Sequence, residues 1–180
     1  MTSVRATTIL AVKRNGEVAV GGDGQVTLEN VVAKHNARKV MRLYRGTVLA
    51  GVAGAVADAF SLVDLFETKL EESSGNLGSA AIKFARQWRT DRILRQLQAM
   101  IIVANREQIL LVSGSGEVIE PDDDAAAVGS GASYALAAAR ALLLHTELPA
   151  RQIVEESLKI AASICIYTND RFWIESLGNE

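Results

Sequence analysis

The chain has 180 residues, 49% hydrophobic and 22% charged, with only two prolines. That fits one globular domain and excludes disordered, collagen-like and low-complexity architectures, because a chain this apolar offsets its folding entropy by burial. Nineteen basic against 21 acidic residues give a net charge of -2, and there is one cysteine, so nucleic acid is a poor partner and neither an internal disulfide nor a thiolate-rich zinc site can form. Aromatic residues make up 5%, so the apolar content is mostly small and aliphatic. Met1 to Ala6 carries one arginine, and the apolar run Thr8 to Val12 is too short for a signal peptide. No stretch approaches the roughly 20 apolar residues that cross a bilayer. The expectation is a soluble, cytoplasmic protein without nucleic-acid or membrane partners.

Strand patterns open the chain. Thr8 to Val12 breaks at Asn15-Gly16, a two-residue hairpin signal, and Glu17 to Val20 returns into Gly21-Gly22-Asp23-Gly24. Lys39 to Tyr44 and Thr47 to Val52 form a second hairpin across Arg45-Gly46, and the four segments together suggest one antiparallel sheet. Two helices are predicted next. Phe60, Val63, Phe66 and Leu70 recur at helical spacing within 56–71, and Phe84, Trp88 and Leu94 within 80–98. The order then repeats. Strands are predicted at 100–104, 109–112, 118–119 and 125–128, helices at 133–145 and 150–164, and a last strand at 171–174. Hairpin-linked strands with segregated helices argue for a single α+β domain with two sheets stacked between helix layers.

Most chemical motifs dissolve on inspection. Gly129-Ser130-Gly131 follows a strand and opens a helix, but position 134 is Tyr where a dinucleotide loop needs its third glycine. No glycine is followed by lysine, so there is no Walker A loop and the three residues read as a tight turn. His35 and His145 belong to no metal-spacing cluster, and Cys165 between Ile164 and Ile166 reads as a small core residue. Arg86, Arg89, Arg92 and Arg95 recur every three residues on one predicted helix. The acidic balance favours a solvated or intersubunit face there over anion or RNA binding. Thr7, Asp23 and Lys39 remain at the start of the chain; taken alone, a strand threonine and a Lys–Asp pair are commonplace.

Longer motifs change that weighting. Thr7-Thr-Ile-Leu-Ala-Val-Lys-Arg-Asn-Gly and Gly22-Asp-Gly-Gln are similar to the opening of the HslV (ClpQ) family, bacterial proteasome-like peptidases of the N-terminal nucleophile (Ntn) hydrolase class. The resemblance continues through Arg38-Lys-Val40, Gly51-Val-Ala-Gly54, Ala57-Asp-Ala-Phe60, Trp88-Arg-Thr-Asp-Arg92, Gly129-Ser-Gly131, Ala137-Ala-Ala-Arg-Ala-Leu142, Thr146-Glu-Leu148 and Ile164-Cys-Ile-Tyr-Thr-Asn169. It covers Thr7 to Leu177.

The resemblance implies a four-layer αββα sandwich and a peptidase subunit that cleaves unfolded polypeptides through an acyl-enzyme. The nucleophile it implies is Thr7, N-terminal in the mature chain, with its own α-amine as base. Lys39 lowers that amine's pKa by its charge, Asp23 holds Lys39, the Gly51 N–H stabilises the oxyanion and Ser130 supports the amine. It implies further a monovalent cation, typically Na+, on the backbone carbonyls of Ala162, Cys165 and Thr168, although the family usually has glycine where Ala162 stands. The implied assembly is two stacked six-membered rings capped by a hexameric HslU-type AAA+ ATPase that unfolds substrates and switches the peptidase on. ATP hydrolysis then belongs to that partner.

Residues 1–6 depart from the pattern. While Ala6 is attached, the Thr7 nitrogen is an amide and no base, so the expectation is a leader removed at Ala6–Thr7 and one peptidase domain over 7–180. Thr2, which methionine removal would expose, competes as the terminal threonine but precedes no matching strand. Two other functions compete: an inactive ring subunit with Thr7 blocked, and a small-amide Ntn hydrolase that works without an ATPase.

Overall fold

Both faces of the first strand are apolar, and this places it between two packed layers. In the computed structural model, which describes residues 7–54, 56–97 and 99–178 (backbone only over 56–60), strand β1 is Thr8–Arg14 and pairs across Asn15-Gly16 with β2, Glu17–Asp23. Ile9 and Ala11 point into one buried cluster, Leu10 and Val12 into another, as side-chain alternation requires. The expected leader, residues 1–6, lies outside the described residues, as does the Phe60 side chain.

The two hairpins predicted as one sheet belong to two. After β2 the chain makes a small two-stranded sheet not expected from the sequence, β3 (Val26–Leu28) and β4 (Val31–Lys34), and crosses to the other layer. There β5 (Val40–Leu43) and β6 (Val48–Ala53) join β7 (Met100–Ala104), β8 (Ile109–Ser113) and β9 (Val118–Ile119) in one antiparallel sheet. The sheet containing β1 is completed by β10 (Ala125–Gly129) and β11 (Phe172–Leu177), in the order β10-β1-β2-β11.

Helices α1 (Val56–Glu72) and α2 (Leu77–Thr90) cover the second sheet; α3 (Ala132–His145) and α4 (Ala150–Ile164) cover the first. Three buried clusters fill the three gaps of this four-layer αββα sandwich. The outer gap under α1 and α2 holds the large side chains: Phe66, Phe84 and Trp88 stack edge to face at centroid distances of 5.2 and 5.3 Å. The gap under α3 and α4 is lined by alanines such as Ala135, Ala139 and Ala161, which let the helices approach closely. The α+β sandwich expected from the sequence is the observed fold.

Two boundaries moved for identifiable reasons. Strand β2 runs through Gly21 and Gly22 because both glycines sit against packed side chains. A Cβ on Gly21 would lie 2.5 Å from Val154 Cγ1, and one on Gly22 would lie 2.5 Å from Ile9 Cδ1. Helix α2, expected to reach position 98, stops at Thr90. The Asp91 carboxylate accepts the N–H groups of Ile93 and Leu94 at 2.8 and 3.0 Å and turns the chain into a short 3-10 segment, Leu94–Gln96. The arginine stripe is therefore broken: Arg86 and Arg89 lie on α2, whereas Arg92 and Arg95 lie beyond its end.

Candidate active site at the start of the first strand

Register brings Thr8 beside Asp23. Ile9 pairs with Gly22, and the Thr8 N–H donates to Asp23 Oδ1 at 2.8 Å. The same carboxylate accepts the N–H of Gln25 at 2.9 Å and of Asn169 at 3.3 Å on Oδ2. Lys39, immediately before β5, reaches across from the other sheet and donates from Nζ to Asp23 Oδ1 at 3.2 Å and to the Gln25 carbonyl at 2.6 Å. An ammonium has three protons, so a third remains beyond these two bonds. Burial pushes the Lys39 ammonium below its ordinary range, and the charge and hydrogen bond of Asp23 oppose that in part.

Thr7, itself buried, stands one residue before β1 with the parity of Ile9 and Ala11, the residues that face the second sheet. Its φ is 151°, a value rare for a β-branched residue. Its carbonyl accepts the Ser130 N–H at 2.8 Å. That contact depends on Gly129, whose φ is 103°; a Cβ there would overlap the Thr7 carbonyl oxygen. The Ser130 side chain is exposed. On the opposite parity, buried Thr8 Oγ1 accepts the Gly131 N–H at 2.9 Å and lies 2.8 Å from Thr168 Oγ1. Gly129-Ser130-Gly131 is thus a tight turn, as expected, and it closes over the start of β1.

Gly51 packs beside this group, but its N–H belongs to the sheet ladder. It lies within β6, paired with Val40 on one side and Ile102 on the other, with its Cα against Ile9. Because Val52 N–H donates to the Lys39 carbonyl at 3.1 Å, alternation turns the Gly51 N–H the other way, toward Ile102 and into the ladder. The glycine just past the end of β6 is Gly54, at φ 144° and two residues before the first residue of α1. Sequence reasoning quoted Gly54 without giving it a role; only the ladder distinguishes the two glycines.

Ala162, Cys165 and Thr168 gather at the end of α4. The Cys165 N–H caps Ala161 O at 2.8 Å, and the Thr168 N–H returns to Cys165 O at 3.1 Å. Ala162 is helical and is not among the residues with positive φ, so an alanine is no obstacle there. Of the three carbonyls only that of Ala162 belongs to the last turn of α4, where carbonyls lack intrahelical partners and carry the helix's partial negative charge; that of Cys165 already accepts the Thr168 N–H. Cys165 is buried, in line with its reading as a packing residue. Among the described residues no His, Cys, Asp and Glu cluster could hold a metal, and no helix is long and apolar enough to cross a membrane.

Known proteins resemble this chain over nearly its whole length. A family model described as "Proteasome subunit" matches residues 3–176. The ATP-dependent protease subunit HslV of Pseudothermotoga lettingae is 56% identical over 173 residues, spanning 96% of this chain and 98% of that protein. The crystal structure of eukaryotic HslV from Trypanosoma brucei superimposes with a TM-score of 0.91 at 41% identity, covering 96% of this chain and 99% of that one. Thiobacillus denitrificans BPH in complex with epoxomicin, 18% identical, shares the fold at a TM-score of 0.73 over 96% of this chain and 99% of its own. The chain belongs to the proteasome family, as a threonine-peptidase subunit of its HslV branch.

Proposed function

We propose that Thr7, freed by cleavage of Ala6–Thr7, is the N-terminal nucleophile of an ATP-dependent protein-degradation complex. The observation that carries this reading is the buried Lys39–Asp23 pair at the start of β1. A threonine hydroxyl needs a base, and an α-amine, with an ordinary pKa of about 7.7–8.0, is close to the working pH. The charge of Lys39 lowers it further. The amine takes the Thr7 proton, directly or through water, as Oγ1 attacks the substrate carbonyl. It then returns that proton to the leaving amine, and water hydrolyses the resulting ester on Thr7. Asp23 holds Lys39, and the Ser130 N–H holds the Thr7 carbonyl; the support of the amine by the Ser130 hydroxyl is what the family resemblance implies. The oxyanion role that the resemblance gives Gly51 would require its N–H to leave the ladder. The N–H of Gly54, between the end of β6 and the positive N-terminal end of α1, fits that role better.

The carbonyls of Ala162, Cys165 and Thr168 would hold a monovalent cation such as Na+, which supplies local charge and fixes the turn beside Thr8. The reading extends to two stacked hexameric rings with an HslU-type AAA+ ATPase, acting on unfolded proteins in the cytoplasm; two exposed apolar groups support contact with neighbouring subunits. One is Leu28, Val31 and Val32 on the small sheet; the other is Ile160, Ile164 and Ile166 around the end of α4. Peptide hydrolysis by the wild type and Thr7→Ala, with and without an HslU-type ATPase and ATP, tests the reading. Stimulated hydrolysis lost in Thr7→Ala supports it. Retained activity in that variant refutes the nucleophile, and a rate indifferent to the ATPase favours an ATPase-independent hydrolase.

A further inference from the structure

We propose that Asn169 is a positioning residue that keeps Lys39 and Asp23 in register; this rests on the site reading above. Asp23 ends β2 where one loop begins and Lys39 ends another just before β5, and their pairing is only as well defined as the distance between those loops. Asn169, from a third segment, binds both. Its Nδ2 donates to the His35 carbonyl at 2.8 Å, four residues before Lys39. Its Oδ1 accepts the N–H of Gly24, the residue after Asp23, at 3.1 Å, and the N–H of Arg171 at 3.2 Å. Its own N–H donates to Asp23 Oδ2 at 3.3 Å.

The two loops touch where Asn169 clasps them. Ala37 N–H donates to the Gly24 carbonyl at 2.9 Å, and a Cβ on Gly24 would lie 2.8 Å from Asn36 Cα. No side chain fits between them, and Asn169 adds a second tie from outside to that direct hydrogen bond. The amide accepts an N–H from one loop while donating to a carbonyl of the other, which neither a carboxylate nor a methyl group can do. Aspartate keeps the acceptor and sets a charge against the His35 carbonyl; alanine keeps neither bond. The charged groups next to this clasp are Asp23 and Lys39, with Asp170 and Arg171 adjacent in the chain and His35 contributing its carbonyl.

Loss of the clasp lets Lys39 drift from the Thr7 amine, so that amine's pKa rises and the acidic limb of the pH–rate profile moves to higher pH. The test compares Asn169→Ala and Asn169→Asp in the assembled, processed protein, measuring kcat, KM, the pH profile of peptide hydrolysis and the melting temperature, with Thr7→Ala alongside. The expected result is a kcat lowered about fivefold or more, a KM unchanged within about twofold, and an acidic limb displaced upward in both variants, further in Asn169→Asp. That variant keeps the shape and the acceptor, so it tests the proposal even if Asn169→Ala fails to fold. Wild-type kcat and pH profile, or a loss matched by less folded protein with the acidic limb unmoved, overturns it. Activity in Thr7→Ala overturns the site reading instead, whatever Asn169 does.

Discussion

Lys39 Nζ lies 3.2 Å from Asp23 Oδ1, with the lysine side chain 6% exposed and the aspartate 0%. A pair this deep is weak evidence for stability, because desolvation of two ions consumes much of their attraction. Its placement beside the first strand fits the use proposed for it: a fixed positive charge where the nucleophile's base must be neutral.

Removing that charge should cost activity. Lys39→Ala should lower kcat for peptide hydrolysis by about two orders of magnitude or more, with KM changing little, while Thr8, Gln25 and Asn169 still donate to Asp23. Steady-state kinetics with a fluorogenic peptide measures this; near wild-type turnover would remove Lys39 from the mechanism.

The same lysine should leave a mark on stability against pH. Its folded pKa is below the ordinary 10.5, so between those two values the unfolded chain binds more protons than the folded one. Stability contributed at this site therefore rises with pH through that window and is flat below it. Urea unfolding of Thr7→Ala and Thr7→Ala/Lys39→Met at one protein concentration should show the gap widening in favour of the lysine protein as pH approaches 10.5. A gap that narrows would reverse the sign.

Two glycines with positive φ should behave differently. Gly46 has φ 82° and open space around its Cα, so Gly46→Ala should cost about 1 kcal/mol of backbone strain and leave turnover unchanged. Gly129→Ala meets the Thr7 carbonyl oxygen and should block both turnover and release of the Thr7 terminus. Intact-mass and peptidase assays on the two variants check the contrast; processed, active Gly129→Ala would show that the Ser130 turn is dispensable.

How much of this was legible in the sequence differs by layer. Local patterns located the hairpin at Asn15-Gly16, the buried stripe of Val63, Phe66 and Leu70, and α4. They failed where a distant contact decides. Gly21 and Gly22 look like a loop until α4 and Ile9 are packed against them, and the two opening hairpins look like one sheet until β10 and β11 claim β1 and β2. The site depends on the same long-range pairing. Thr7, Asp23 and Lys39 were readable as a set only through resemblance, and Asn169, 130 residues from Lys39 in the chain, had no local signal at all.

Exposed apolar residues make a prediction about assembly. Val31 is 67% and Ile166 79% exposed in the single subunit, and burying such side chains contributes about 1.5–3 kcal/mol each. Ile166→Glu should weaken the ring, seen as a smaller species in sedimentation velocity. A wild-type protein that sediments as a monomer would contradict a ring subunit.

N-terminal sequencing of the active species decides which threonine is the nucleophile. The chain that cleaves peptides should begin Thr7-Thr8-Ile9, and protein retaining Ala6 should be inactive. An active chain that begins at Thr2, or that still carries Met1 to Ala6, would contradict that.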